Sequence, residues 1–411
     1  MEPNVTERRR FLGRAGLLLG GAAAAAAGRT GTMSEAIQQS AADKRGMTLF
    51  LCGDVMTGRG IDQVLPHPGD PALHEGYATS ARDYVALAEK AHGPIPRPVG
   101  FTYVWGDALA EWARVQPDLR IVNLETAVTT RDDWQRSKGI HYRMHPANVP
   151  CLTAAAIDCC VLANNHVLDW GHAGLAETLE SLRRAGLQTA GAGRDQAEAA
   201  APAVLTVPGK GRVLVFAFGA ASSGIPPDWA ASLGLPGVNL LADLSDATLR
   251  RIAVQVKAVK RKGDVVVASV HWGGNWGYAV PAAHRDFAHG LIERCAVDVV
   301  HGHSSHHPMG IEVYRQRPIL YGCGDFLNDY EGIAGYTSYR SDLSLMYFLS
   351  VDPANGTLLR LRMMPMQMRR FRLNRTSEAD TRWLREVMDR EGRRLGSRVE
   401  AGPDGDLELR G

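Results

Sequence analysis

Carboxylate, carboxamide and imidazole side chains directly follow several short apolar runs of this sequence. Asp54 follows the first run, Asn123 and Glu125 end the second, and the triplet Asn164-Asn165-His166 ends the third. His271 follows a later run, and the segment 301–307 that follows the next one contains four histidines. Mixed ligands of this kind suit divalent metals of intermediate softness, such as manganese, iron or zinc. The sequence therefore predicts a metal centre.

Two of these residues have side chains suited to catalysis. Asp54 is the natural bridging ligand, because one carboxylate can hold two ions at once. Two ions about 3.5–4 Å apart activate a water and stabilise the leaving oxygen of an in-line displacement. His166 then acts as a general acid or orients a substrate oxygen. We predict Asp54 and His166 as catalytic residues.

The elements that must position these side chains are short buried strands alternating with helices. Amphipathic stretches at Leu175–Ala185, Leu249–Lys260 and Ala282–Cys295 separate the apolar runs. This alternation predicts an α/β protein with buried strands. Ligands of open α/β sheets bind outside the carboxyl ends of the strands, so the polar residues should converge on one rim. The predicted strands are 47–52, 119–123, 157–163, 213–219, 264–270, 297–300 and 318–321, followed by an antiparallel pair at 344–351 and 357–363.

Each polar group also has a structural alternative when it is considered alone. Asp54 can belong to a turn with a helix N-cap, and Asn123 and Glu125 can be loop residues. His271 can be a core histidine, and the four histidines after it can be an adventitious metal-binding tract. Their shared position after buried runs favours the site.

Composition excludes some classes of function. The chain has 411 residues, 45% of them apolar, with 46 basic and 44 acidic residues and a net charge of +2. No basic stripe is available for a nucleic-acid backbone, so no nucleic-acid partner is expected. None of the six cysteines forms a C-x-x-C pair, and most lie in apolar runs. We predict buried structural thiols and no zinc ribbon.

The N-terminus has the pattern of an export signal. Residues 1–46 contain Arg8-Arg9-x-Phe11-Leu12, a short apolar stretch, a run of alanines and a polar linker. This pattern resembles the twin-arginine signal, whose pathway exports folded proteins. It predicts a protein of the periplasm or cell surface, although a disordered Ala-rich basic tail is the alternative.

Seven motifs together resemble one protein family. They include Gly53-Asp54-Val-Met-Thr-Gly-Arg59, Asn123-Leu-Glu125-Thr, Ala163-Asn-Asn-His166-Val-Leu-Asp-Trp-Gly, His271-Trp-Gly, Gly302-His303-Ser-Ser-His306, Gly310-Ile-Glu312-Val-Tyr and Leu320-Tyr-Gly-Cys-Gly-Asp325-Phe. The chain resembles the CapA family of poly-γ-glutamate capsule biosynthesis proteins, a branch of the calcineurin-like metallophosphoesterases, over about residues 47–330. The motifs occur in the order found in that family.

The resemblance implies a fold and a set of ligands. The expected fold is a four-layer α/β/β/α sandwich over residues 47–370, and residues 371–411 are predicted to form a helical extension. The resemblance to the family implies that Asp54 bridges two divalent metals and that His166 is the catalytic histidine. The remaining metal ligands implied by the resemblance are Glu125, Asn165, His271, His303 and His306.

The chain departs from the superfamily at two positions. The first superfamily motif is Asp-x-His, but the third position here is Met56. The last motif is Gly-His-x-His, but here the second histidine is His306, one residue later. The loss of one imidazole would weaken one metal or leave a single occupied site, unless His301 or His307 compensates.

Four residues are predicted to contact the substrate. Asp325 is assigned to this role because it is not a standard superfamily ligand, and Arg59 because it can clamp an anion. Asn123 and Asn164 lie beside the predicted ligands. The alternative for Arg59 is a plain surface residue.

The leading hypothesis is a metal-dependent hydrolase of capsule or poly-γ-glutamate metabolism outside the cytoplasm. The bond that it cleaves is a phosphoester or a γ-glutamyl amide, so the expected partner is a small phosphoester substrate or an anionic polymer. The first alternative is a non-enzymatic accessory protein that binds the polymer or a membrane synthetase complex and assists export. The second is a general phosphodiesterase or nucleotidase.

Overall fold

The computed structural model describes residues 46–333 and 335–410. The predicted twin-arginine signal lies outside the described residues, so the export signal stays a prediction. Within the described part of the chain, no helix has both the length and the apolar character needed to cross a membrane.

The described residues contain nine α-helices and twenty β-strands. Helices α1–α9 span Arg59–Val64, Ala81–His92, Ala108–Val115, Pro150–Ala154, Gly171–Arg184, Gln196–Ala200, Asp246–Val259, Ala282–Cys295 and Glu378–Arg393. Strands β1–β10 span Met47–Val55, Leu119–Leu124, Ala127–Val128, Arg143–Met144, Cys159–Val161, Gln188–Ala190, Ala192–Gly193, Ala203–Val207, Gly211–Gly219 and Gly237–Val238. Strands β11–β20 span Asp264–His271, Val299–His303, Ile311–Tyr314, Arg317–Leu320, Asp325–Leu327, Leu343–Val351, Leu358–Met368, Leu373–Arg375, Arg398–Ala401 and Leu407–Arg410.

Two large sheets contain most of these strands. The first has the order β19-β20-β17-β16-β1-β2-β5-β6, with β15 also pairing with β1 and β18 with β17. The second has the order β13-β14-β12-β11-β9-β8. The strands β1, β2, β5 and β6 are parallel, as are β9, β11, β12 and β14. The predicted antiparallel pair is β16 and β17. The α/β class predicted from the sequence is confirmed.

Alternation along β1 assigns its side chains to different cores. Leu49 and Leu51 belong to a buried cluster that also contains Val215 and Val267 of the six-stranded sheet. Phe50 lies in another cluster, where its ring meets Trp112 of α3 edge-on at 5.1 Å. Successive residues of a strand point to opposite faces, so one face of β1 meets the other sheet and the opposite face meets helices.

The outer face of the six-stranded sheet is also covered by helices. Phe216 and Val266 of this sheet share a third buried cluster with Leu249 of α7 and with Phe287 and Leu291 of α8. Strands buried on both faces explain the continuous runs of apolar residues in β9 and β11.

Two segments have local structure that differs from the sequence analysis. The segment 67–98, which was not among the predicted amphipathic stretches, contains the 12-residue helix α2, which begins with a capping box between Ser80 and Asp83. Residues 371–411, predicted as a helical extension, contain α9 but also β18, β19 and β20, which join the ten-stranded sheet. Glu400 pairs with Glu408 between β19 and β20, and Arg362 of β17 also pairs with Glu408. These pairings are decided by distant strands, which the local pattern does not reveal.

The six cysteines are free and buried, as predicted. Burial raises the pKa of the Cys160 thiol to about 12 and that of Cys52 well above its usual value. The thiolate is the reactive form, so these cysteines are structural.

A buried ion-pair cluster forms around Arg59 at the start of α1. The Arg59 side chain donates to Asp329 at 3.1 and 2.5 Å and to Glu75 at 3.0 Å. Its guanidinium also lies 3.9 Å from the centre of the Tyr84 ring. Arg59 is only 2% exposed, so the cluster connects α1, the segment before α2 and the segment after β15 away from water.

We predict that Asp329→Asn strongly destabilises the fold. Loss of one partner from a buried ion pair leaves the other charge unpaired, which costs about 3–5 kcal/mol. The matched control is Asp404→Asn, which removes the acid from an exposed pair with Arg114 and should cost less than about 1 kcal/mol. Urea unfolding of both variants measures the difference, and equal losses would contradict the prediction.

Candidate metal centre

Strand register brings the predicted acidic residues to one point. Asp54 aligns with Asn123 on β2 and with Asp325 on β15, near the carboxyl end of β1. The backbone N–H of Asp54 donates to the carbonyl of Gly324 at 2.9 Å. This approach requires glycine at residue 53, because a Cβ there would lie 1.5 Å from that carbonyl oxygen. The glycine before Asp54 therefore allows β15 to place Asp325 beside it.

The first of two three-residue groups contains Asp54, His271 and His303. One ligand atom from each lies within 4.8 Å of the others, and all three residues are buried. His271 and His303 are register partners on β11 and β12, and their Nδ1 atoms lie 2.7 Å apart. Neutral tautomers satisfy the surrounding bonds, with His271 Nε2 donating to Asn165 Oδ1 at 3.1 Å and Ser269 Oγ donating to His303 Nε2 at 2.8 Å. Burial lowers the pKa of both histidines, and neutral imidazole is the form that binds metals.

The second group contains Asp54, His306 and Asp325. Its ligand atoms also lie within 4.8 Å of one another. His306 Nδ1 donates to Asp325 Oδ1 at 2.8 Å. Asp54 is common to both groups, which is the position of a bridging carboxylate. Asp325, predicted as a substrate contact, thus lies in a group that can hold a metal.

Glu125 and Asn165 lie beside the first group. Glu125 Oε1 is 3.9 Å from His271 Nε2 and 3.7 Å from His166 Nε2. Burial and the neighbouring Asp54 raise the pKa of Glu125 well above its usual value. Burial, followed by the charge of Asp325, raises the pKa of Asp54 to about 7. Buried carboxylates that repel one another are the donor set that a divalent cation stabilises, so the residues fit such an ion.

His166 is held by two residues whose roles were not predicted. Its Nδ1 donates to Asp169 at 2.6 Å, and Lys138 donates to the other oxygen of Asp169 at 2.5 Å. Burial alone would raise the pKa of Asp169, but His166 and Lys138 hold it below its usual value. Burial lowers the pKa of His166 to about 4. The arrangement leaves Nε2 of a neutral imidazole facing Glu125.

Asp169 does not cap the helix that follows it. The N-cap position of α5 is Trp170, and no side chain caps it. The sequence signal available was the spacing of three residues between His166 and Asp169. Lys138 lies in a loop 31 residues before Asp169. Nothing in the sequence pattern linked it to His166.

Asn123 and Asn164 form a buried amide network. Asn123 donates to Asp54 Oδ1 at 2.7 Å, and Asn164 donates to Asn123 at 3.0 Å and to the Leu124 carbonyl at 2.9 Å. The side-chain oxygen of Asn164 accepts from the backbone N–H of His166 at 3.1 Å. Both amides were predicted as substrate contacts, but their bonds orient Asp54 and the turn that carries His166.

Arg59 is neither a surface residue nor an open anion clamp. Its guanidinium is occupied by the buried ion-pair cluster and lies 4.4 Å from the centre of the Tyr142 ring. The Tyr142 ring in turn meets His166 edge-on at 4.5 Å. Arg59 therefore supports the packing behind His166, a role that the sequence did not indicate.

The residues around the two motif departures make other contacts. The thioether of buried Met56 accepts from the Tyr330 hydroxyl at 3.5 Å. His301 Nε2 donates to the carbonyl of Cys52 at 2.7 Å, and His307 Nε2 accepts from the backbone N–H of Gly277 at 3.2 Å. Neither histidine belongs to the two groups, so neither compensates for Met56.

Comparison with known proteins gives a consistent family. A family model described as bacterial capsule synthesis protein PGA_cap matches residues 48–330. A probable polyglutamine synthesis accessory protein of Mycobacterium tuberculosis is 49% identical over 364 residues, which cover 88% of this chain and 96% of that protein. The capsule biosynthesis protein CapA of Bacillus anthracis is 26% identical over 314 residues, covering 76% of this chain and 66% of that protein. The chain therefore belongs to the PGA_cap family of bacterial capsule synthesis proteins, which is the CapA family that its motifs resemble.

Proposed function

We propose that this protein is a metal-dependent hydrolase of capsule or polyglutamate synthesis. It acts on a phosphoester or a γ-glutamyl amide outside the cytoplasm. The observation that carries the proposal is the sharing of Asp54 by two groups of metal-ligating side chains, with His166 beside them. The extracytoplasmic location rests on the twin-arginine pattern at Arg8 and Arg9.

The proposal includes the fold expected for such enzymes. We infer a four-layer α/β/β/α sandwich of the metallophosphoesterase type. Support comes from the three buried clusters, one containing residues of both large sheets and two containing residues of one sheet and its helices.

The proposed centre holds two divalent cations, such as manganese, iron or zinc. His271, His303 and Asp54 would hold one ion, and His306, Asp325 and Asp54 would hold the other. Glu125 and Asn165 would supply further oxygen donors on the side of His271. When bound, such a pair activates water and stabilises charge on a leaving oxygen.

The residues around the centre perform the proton chemistry. Asp169 fixes the tautomer of His166 by accepting from Nδ1, so Nε2 carries the lone pair. Nε2 then accepts a proton from the attacking water and delivers it to the leaving oxygen or nitrogen. Asn123 keeps the Asp54 carboxylate in one orientation through its 2.7 Å bond.

A second candidate function is a non-enzymatic accessory role in polymer synthesis or export. The M. tuberculosis relative carries the name of a synthesis accessory protein. Such a protein would bind an anionic polymer or a membrane synthesis complex. It would tolerate His166→Ala without loss of polymer production, whereas the hydrolase would not.

We predict about two equivalents of divalent metal per chain in protein purified without a histidine tag. Asp54→Asn should lose most of this metal, because it removes a negative charge common to both groups. The matched control is Asp286→Asn on the exposed side of α8, which should retain it. Plasma mass spectrometry measures the content. Absence of metal after reconstitution with manganese or zinc would refute the hydrolase and favour the accessory role.

We also predict that Asp169→Asn lowers kcat about 100-fold or more and leaves the metal content unchanged. The amide no longer fixes the His166 tautomer, although it does not touch the ligand groups. Aryl phosphoesters and γ-glutamyl amides are the substrates to assay, with His166→Ala in parallel. Unchanged turnover in both variants would show that His166 takes no part in the reaction.

A further inference from the structure

An arginine-lined cavity lies apart from the candidate metal centre. Its volume is about 340 Å³, and its lining combines residues of β17, β18 and β20 with the first turns of α9. Strand β16 separates β17 from β1, the strand that carries Asp54. Two strand spacings, about 10 Å, therefore separate β17 from β1.

The cavity lining is rich in cationic groups. Arg375, Arg382 and Arg385 all line it, whereas Glu378 is the one carboxylate among the lining residues. Arg375 is paired with Glu111. The excess positive charge thus comes from Arg382 and Arg385.

These two arginines are poorly neutralised. Arg382 is exposed and has no hydrogen bond or ion pair among the residues that the structure describes. Arg385 is 4.0 Å from Glu386, in a pair whose side chains are 41% and 62% exposed. Residues three apart on a helix are neighbours, and adjacent like charges destabilise it. An anion between the two guanidinium groups would remove this repulsion.

Two hydroxyl groups add a hydrogen-bond donor to the same cavity. Thr376 and Thr381 both line it, and their Oγ1 atoms lie 2.7 Å apart. One of the two hydroxyl protons is used in that bond. The other has no acceptor among the described residues, so it is free to donate to a ligand.

We propose that this cavity binds carboxylates of an anionic polymer at a site distinct from the metal centre. Guanidinium groups match carboxylates through paired N–H donors. A polymer with regularly spaced carboxylates reaches Arg382 and Arg385 together, while the threonine hydroxyl binds a further oxygen. The identity of the polymer as a glutamate chain rests on the proposed function. The site holds the polymer, and the metal centre is a separate element.

Fluorescence anisotropy with a labelled γ-linked glutamate oligomer tests the proposal at low salt. The double variant Arg382→Gln/Arg385→Gln should weaken binding about tenfold or more, because it removes two charge-assisted contacts. The matched control is Arg183→Gln/Arg184→Gln, which removes the same charge from exposed positions of α5 and should bind as the wild type does. Equal weakening in both double variants would reveal a general charge effect and overturn the proposal.

Further measurements distinguish polymer binding at this cavity from binding at the metal centre and from general anion binding. Asp54→Asn should lose metal and keep oligomer affinity, so failure of the proposed hydrolase leaves this result intact. Loss of oligomer binding in Asp54→Asn, with retention in the arginine variant, would place the polymer at the metal centre instead. No binding to the wild type, or stronger binding of inorganic polyphosphate than of the glutamate oligomer, would also overturn the proposal.

Discussion

The burial of the Asp54 carboxylate between the two large sheets is the constraint on which the candidate site depends. Its two oxygens accept from Asn123 of one sheet at 2.7 Å and from the backbone N–H of Ser304 after the other at 3.2 Å. Burial and the charge of Asp325 raise its pKa to about 7, which marks a carboxylate in need of a proton or a cation. The histidine and carboxylate side chains around it are the residues that would hold such a cation.

The same constraint explains why many polar residues serve to orient the side chains of the candidate site. His301 donates from β12 to the carbonyl of Cys52 on β1, which fixes one sheet against the other. Asn164 holds the turn that carries His166, and Asp169 fixes the tautomer of that histidine. A site assembled from separate strands needs such bonds, because small shifts of one sheet would separate the ligands.

Much of the fold could be predicted because its strands and helices have clear local patterns. The structure has α8 at the predicted bounds Ala282–Cys295, and β1 begins at the predicted Met47. Strands β19 and β20 were missed because their short segments are stabilised by pairing with each other and with β17. The helix α2 was missed because proline and glycine residues around it favour loops.

For the candidate site, the sequence by itself determined which side chains follow the strands, and hence Asp54, His271 and His303. Only the tertiary structure decided that Asp325 joins His306 in a ligand group and that Arg59 is buried in ion pairs. The reason is that neighbouring strands in a sheet are often not consecutive in the sequence. Residue types and spacing indicate which polar side chains follow a strand. Which other side chains lie beside them is set by the pairing and packing of segments distant in sequence.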